Sequence, residues 1–95
     1  MSFSFHPEAE EELRAAIDYY EDREAGLGYD FSLEVFTAIQ NIIAQPNAWP
    51  VMEDDVRRCL VNRFPFGVLY SLEPTTVFVV AVMHQRRRPD YWRSR

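Results

Sequence analysis

The chain has one cysteine and two histidines, so Cys59 lacks a partner for an internal disulfide, and with His6 and His84 it falls short of a structural zinc site. Redox and metal chemistry are not expected. No apolar run approaches the ~18 residues of a membrane-spanning helix, and Met1-Ser2-Phe3-Ser4-Phe5-His6-Pro7 has neither the charged nor the apolar region of a signal peptide. The expected location is the cytoplasm, with no membrane partner. There is no phosphate-cradling glycine loop, no Gly-x-Ser-x-Gly elbow and no Cys–His or metal-spaced His pair, which removes most enzyme classes. Lysine is missing altogether. All ten basic residues are arginine, whose guanidinium suits bidentate contacts to carboxylate or phosphate.

What is present suffices for one compact fold. At 95 residues the expected organisation is a single domain over 1–95, and 47% hydrophobic residues, with seven Phe, five Tyr and two Trp, are too many for a disordered chain. The net charge of −5 is unevenly spread. Residues 1–55 carry thirteen Asp and Glu against Arg14 and Arg23, a balance of −11. Residues 56–95 carry eight Arg against Glu73 and Asp90, a balance of +6. The two halves are built to face different partners.

Phe3 and Phe5 alternate with Ser2, Ser4 and His6, the period of a half-buried first strand. Pro7 ends it and suits the first turn of a helix, where Glu8, Glu10, Glu11 and Glu12 meet the positive end of the helix dipole. Ala9, Leu13, Ala16, Ile17 and Tyr20 form its apolar stripe, leaving Glu11, Asp18, Glu21 and Asp22 on a solvated face and Tyr19 at the edge or against a partner. After Gly26 and Gly28 a second stripe follows, Phe31, Val35, Ala38, Ile39, Ile42 and Ile43, with Asp30 as its N-cap and Pro46 as its stop. Two such helices on a short link form an antiparallel hairpin, and its apolar face needs a sheet to cover. Asn47 to Asp55 reads as loop. Three strands follow, Val56 to Asn62, Phe66 to Glu73 and Val77 to His84, the last apolar on both faces and therefore internal. Trp49 and Trp92 read as packing anchors, and Cys59 as a small buried hydrophobe. The expected fold is α+β: an N-terminal strand and a helical hairpin packed on a small, mostly antiparallel sheet (β-α-α-β-β-β), followed by a basic C-terminal tail. The uncovered sheet face and that tail are the expected working surface.

The basic residues at the strands and tail, with His84 and Tyr91, are the remaining candidates for function. At Val56-Arg57-Arg58-Cys59-Leu60, Phe64-Pro65-Phe66-Gly67-Val68-Leu69-Tyr70 and Val80-Ala81-Val82-Met83-His84-Gln85-Arg86-Arg87 the chain resembles the RelE/ParE toxin superfamily, as it does at Pro7-Glu8-Ala9-Glu10-Glu11-Glu12-Leu13 and Tyr19-Tyr20-Glu21. The resemblance covers nearly the whole chain in order. It implies the toxin of a type II toxin–antitoxin pair of the plasmid-stabilisation type, which inhibits growth until a cognate antitoxin binds it. It implies no cofactor, and no sequence-specific DNA binding by the toxin alone.

The superfamily holds two activities. ParE-like members inhibit DNA gyrase, and RelE-like members cut mRNA on the ribosome without metal, the RNA's own 2′-hydroxyl attacking the adjacent phosphate. The second chemistry needs arginine to stabilise charge and a side chain to move a proton. By position the resemblance offers Arg57 or Arg58 and Arg86 or Arg87 for the first role and Tyr91 for the second; Arg63 could reach over to serve the first, and the His84 imidazole is an available acid or base for the second. The resemblance implies an acidic or amphipathic antitoxin segment, and the charge of the basic half makes Arg86, Arg87, Arg88 and Arg93 the expected antitoxin-binding set. Two departures favour gyrase inhibition over RNA cleavage. Pro65-Phe66-Gly67 puts glycine where the nucleases carry an arginine, and the net charge is acidic where docking to ribosomal RNA gains from a positive field. A degenerate, non-toxic antitoxin-binding protein is the third alternative.

Overall fold

The computed structural model describes residues 1–95. Strand β1 (Ser2–Phe5) turns Phe3 and Phe5 inward and leaves Ser2 and Ser4 in solvent, as their alternation requires. Helix α1 (Pro7–Arg23) starts on Pro7, and the His6 imidazole caps it by accepting the Glu8 N–H at 3.1 Å. Helix α2 (Leu27–Ala44) follows after a three-residue link. Its N-cap is Gly26 in the left-handed region (φ 90°), not Asp30, which lies a turn inside. The cap comes from the preceding helix. The Glu21 carboxylate accepts the Gly26 and Gly28 N–H groups at 2.8 and 3.0 Å, satisfying two donors that a helix start leaves orphaned. Gly28 is needed for a second reason. A Cβ there would lie 2.5 Å from the Ile17 carbonyl oxygen, so only glycine lets the two helices close this tightly.

The sheet has five strands in the order β1-β5-β4-β3-β2, with β1 parallel to β5 and every other pair antiparallel. Strands β3 (Val56–Leu60), β4 (Phe66–Leu72) and β5 (Thr76–His84) are the three read from the sequence, and β5 is internal. The segment expected to be loop contains an additional strand, β2 (Val51–Glu53), which forms a hairpin with β3. Its turn is Asp54-Asp55, both at positive φ (50° and 64°), the backbone that a two-residue hairpin requires. Three residues are too few for an alternation to register, and Asp-Asp is a weaker turn signal than Asp-Gly.

Both helices cover one face of this sheet. Ala9, Leu13 and Ala16 of α1 and Phe31, Val35, Ile39 and Ile42 of α2 meet Val68, Tyr70, Val77, Val79 and Val82 in a continuous core. Each large side chain fully buried there contributes about 1.5–3 kcal/mol. At one end Tyr20, Phe31, Phe64 and Phe66 form an aromatic cluster, with the Phe31 centroid 5.1 Å from that of Phe64 and 4.9 Å from that of Phe66. The Tyr70 hydroxyl donates to the Pro46 carbonyl at 2.9 Å, which closes the far end of α2.

The other sheet face was expected to be open, and it is not. The tail folds back across it, burying Trp92 among Val56, Leu69, Val80, Ala81 and Met83. The indole covers apolar strand residues that would otherwise face water, and the Arg93–Glu53 and Arg95–Glu12 pairs fix the tail on either side of it. No helix of the structure is long and apolar enough to cross a membrane.

Candidate functional site

Strand β1 pairs with β5 only as far as Val79, so the outer edge of β5 from Val80 onward lies without a neighbouring strand. Two side chains occupy that edge. The Glu12 carboxylate of α1 accepts the Val82 N–H at 3.0 Å, and the Arg95 guanidinium donates to the Val80 carbonyl at 3.1 Å. The same two groups face each other in a bidentate pair, both contacts at 2.9 Å, with side-chain exposures of only 12% and 6%. Arg87 adds a longer contact to Glu12 at 3.4 Å. One carboxylate thus ties α1, β5 and the tail together, and charge-assisted bonds of this kind are about twice as strong as neutral ones.

The Tyr91 ring completes the cluster, with the Arg87 and Arg95 guanidinium carbons 3.8 and 4.9 Å from its centroid. Its buried hydroxyl is pushed well above the usual tyrosine range. Burial is the main cause, and the neighbouring Glu12 carboxylate adds to it against the opposing pull of Arg95 and Arg87. A raised tyrosine pKa stabilises the fold fully below the ordinary value of about 10 and is lost as pH climbs from there toward the folded-state value. Stability to denaturant should therefore fall above about pH 10, and Tyr91→Phe should flatten part of that decline. An identical alkaline limb in the variant would place the hydroxyl in solvent.

Beside this cluster a groove of about 680 Å³ runs between α1 and the ends of β4 and β5. Ala15, Ala16, Tyr19, Leu27, Phe66 and Val82 form its apolar wall, and Glu12, Arg23, His84 and Arg87 its polar rim. Tyr19 is 52% exposed, held by a hydrogen bond from Arg23 and by that guanidinium stacked 4.8 Å from its ring centroid. His84 packs its edge on Phe66 at 5.1 Å and accepts the Arg86 N–H on Nδ1 at 3.0 Å. With Nδ1 accepting, the ring's other nitrogen carries the hydrogen and can donate to a bound group.

Of the residues proposed from the sequence, only His84, Arg87 and Tyr91 come together here. Arg57 points to the helical side and donates to the Asn47 and Trp49 carbonyls, where it fixes the loop before β2. Arg58 lies on the opposite face, its aliphatic part stretched over Gly67 so closely that a Cβ at Gly67 would sit 3.1 Å from it. Arg63, at φ 69°, pairs with Asp30 at 3.5 Å. Arg88 pairs with Asp90 at 3.0 Å, and Arg93 makes a bidentate pair with Glu53 at 2.8 and 2.7 Å. Arg86 is exposed in the turn after β5 with no side-chain partner. Glu12 and Arg95, which organise the site, were missed. Glu12 stands three residues after buried Ala9 and four before buried Ala16, on the stripe itself, and that spacing was the available signal.

The family model for the ParE toxin of the type II toxin-antitoxin system, parDE, matches residues 3–89. The chain belongs to the ParE toxin family. Among solved structures, a chain of the chromosomal ParDE TA system from P. aeruginosa shares the fold at a TM-score of 0.72 and 18% identity, over 88% of this chain and 95% of that one. No curated protein matches. The match to the ParE toxin model takes in Glu12, the groove, His84 and Arg87, and stops short of Tyr91, Trp92, Arg93 and Arg95. The buried partner of Glu12 is therefore supplied from beyond the matched segment. No three His, Cys, Asp or Glu side chains of this ParE toxin converge as a metal site.

Proposed function

We propose that this toxin stops growth by binding DNA gyrase rather than by cutting RNA, and that its cognate antitoxin docks in the groove along α1. The observation that carries the first part is the dispersal of the basic groups that phosphate chemistry would need. His84 lies on the helical side of the sheet and Arg58 on the other, while Arg57 and Arg63 are spent on backbone carbonyls and Asp30. Of the arginines offered for phosphate chemistry, only Arg87 lines the groove with His84; Arg23, the other arginine there, is held on the Tyr19 ring. An arginine at position 67 would project toward Arg58, away from His84. Tyr91, held protonated by burial, is a poor base near neutral pH. A binding protein requires none of these groups to meet.

The groove supports the second part. It is apolar, elongated and flanked by an exposed tyrosine, the features of a surface that receives the apolar side of an amphipathic segment. Arg87 lines its rim with only a long 3.4 Å contact to Glu12, and the adjoining Arg86 is exposed, so both are better placed to steer an acidic partner than Arg88 and Arg93, which are tied in shorter pairs. This narrows the antitoxin-binding set proposed from the sequence to its first two members.

The test is growth inhibition together with gyrase supercoiling and ribosome-dependent RNA cleavage, run on the wild type, His84→Gln and Tyr91→Phe. Both variants should stay as toxic as the parent and should inhibit supercoiling equally. Loss of a proton-transfer group from a nuclease would lower the cleavage rate ~10²-fold or more. Such a loss in a folded variant would make RNA cleavage the activity.

A further inference from the structure

Five carboxylates are half-buried: Glu12, Asp30, Glu34, Glu53 and Asp90. Four hold an arginine, Glu12 with Arg87 and Arg95, Asp30 with Arg63, Glu53 with Arg93, and Asp90 with Arg88 and Arg93. Glu34 holds none. Arg63 takes Asp30 one turn earlier on α2, and Arg57 takes the carbonyls of Asn47 and Trp49.

Glu34 opens into a second cavity of about 230 Å³, on the flank of α2 away from the groove. Glu34, Thr37, Ala38 and Asn41 follow one another at helical spacing along its α2 wall, and Trp49, Cys59, Leu60 and Asn62 form the opposite side. The side chains of Thr37, Asn41 and Asn62 make no hydrogen bond within the chain, and the Leu60 carbonyl is touched only by the Cys59 thiol at 3.7 Å. The space exists because β2 covers β3 only at Val56 and Arg57, leaving the edge at Cys59 and Leu60 unpaired. A concave, polar pocket holding one uncompensated negative charge and several idle acceptors is complementary to a cation with many donors.

We propose that this pocket receives the guanidinium of an arginine presented by a protein partner. At about 230 Å³ it is smaller than the roughly 300–1,000 Å³ of sites for free small molecules, and it suits a single side chain. A guanidinium has five donors in a plane, which can meet the Glu34 carboxylate in a fork while reaching the Asn41 and Asn62 amide oxygens and the Leu60 carbonyl. Trp49 adds the kind of wall on which guanidinium stacks. An arginine anchored in a preformed pocket is a common centre of binding energy at protein interfaces. The site lies apart from the α1 groove and does not rest on the choice between gyrase and RNA.

The experiment is a two-dimensional NMR titration of the full chain with N-acetyl-arginine methylamide, beside its uncharged isostere N-acetyl-citrulline methylamide and the lysine analogue. The arginine probe should give saturable shifts at the Asn41 and Asn62 side-chain amides and the Trp49 indole. Glu34→Gln should weaken it about tenfold, the loss expected for one charge-assisted contact, with no fall in thermal midpoint because no ion pair is broken. The citrulline probe should not bind. Equal binding of citrulline, shifts confined to the acidic outer face of α1, or an affinity indifferent to Glu34→Gln would overturn the site. Equal binding of the lysine probe would overturn its assignment to arginine. A wild-type dimer in sedimentation that Glu34→Gln dissociates would place an arginine of a second copy there, and would overturn the assignment to another protein.

Discussion

Glu12→Ala should lower the unfolding free energy by about 3–5 kcal/mol, the usual consequence of breaking a buried ion pair from one side. The change strips the acceptor from Arg95, whose side chain is only 6% exposed, and from the Val82 N–H on the edge of β5. At roughly 4–8 °C per kcal/mol for a domain of this size, the loss should be plain in a thermal melt and in urea. Arg95→Ala should cost less, because Glu12 keeps Val82 and Arg87 and the tail is free to move into solvent. The double variant should then lie nearer to Glu12→Ala than to the sum of the two, which is how coupled neighbours behave. Additive losses would mean that the two side chains act independently and that the tail is not clipped to α1 through this pair.

Tyr19→Ala should weaken the antitoxin complex by roughly 30- to 100-fold, the 2–3 kcal/mol typical of an aromatic residue central to an interface. Tyr19 is half exposed at the groove wall, so the substitution should barely alter the stability of the free toxin. Growth inhibition by the variant should persist and become harder to neutralise by co-expressed antitoxin. Affinity can be read by calorimetry at two salt concentrations. If Tyr19→Ala binds like the wild type while Arg86→Ser with Arg87→Ser does not, the antitoxin is held by the β5 end and the groove is not its seat.

Long, periodic elements were legible in the sequence and local exceptions were not. The stripes through Leu13 and Ala16 and through Val35 and Ile39 placed both helices, and Val77 to Met83 read as internal because both its faces are covered. Strand β2 escaped because three residues carry no period. Asp30 looked like a cap because its side chain suits the role. The start of α2 is set instead by Glu21, reaching across from the previous helix, and a contact between elements leaves no local mark. The same limit governs the site. A count of arginines shows a basic half, but only the fold shows that Arg63, Arg88, Arg93 and Arg95 are matched to carboxylates and that Arg58 and His84 face opposite ways. Glu34 is the converse case, an ordinary helix-surface residue by position whose missing counterion appears only in three dimensions.

The parallel pairing of β1 with β5 also bears on the order in which this sheet can form. Ser2 to Phe5 find their partners at Thr76 to Val79, so β1 has no place in the sheet until a segment more than seventy residues later has been made. Pairing at such separation forms late and slowly, because the loop must close before any contact rewards it. Until then β4 lacks one neighbour, the helical hairpin has only part of its floor, and the α1 groove has no β5 wall. A partner that recognises the groove can meet it only after β5 is in place, because Val82 and His84 form one of its walls.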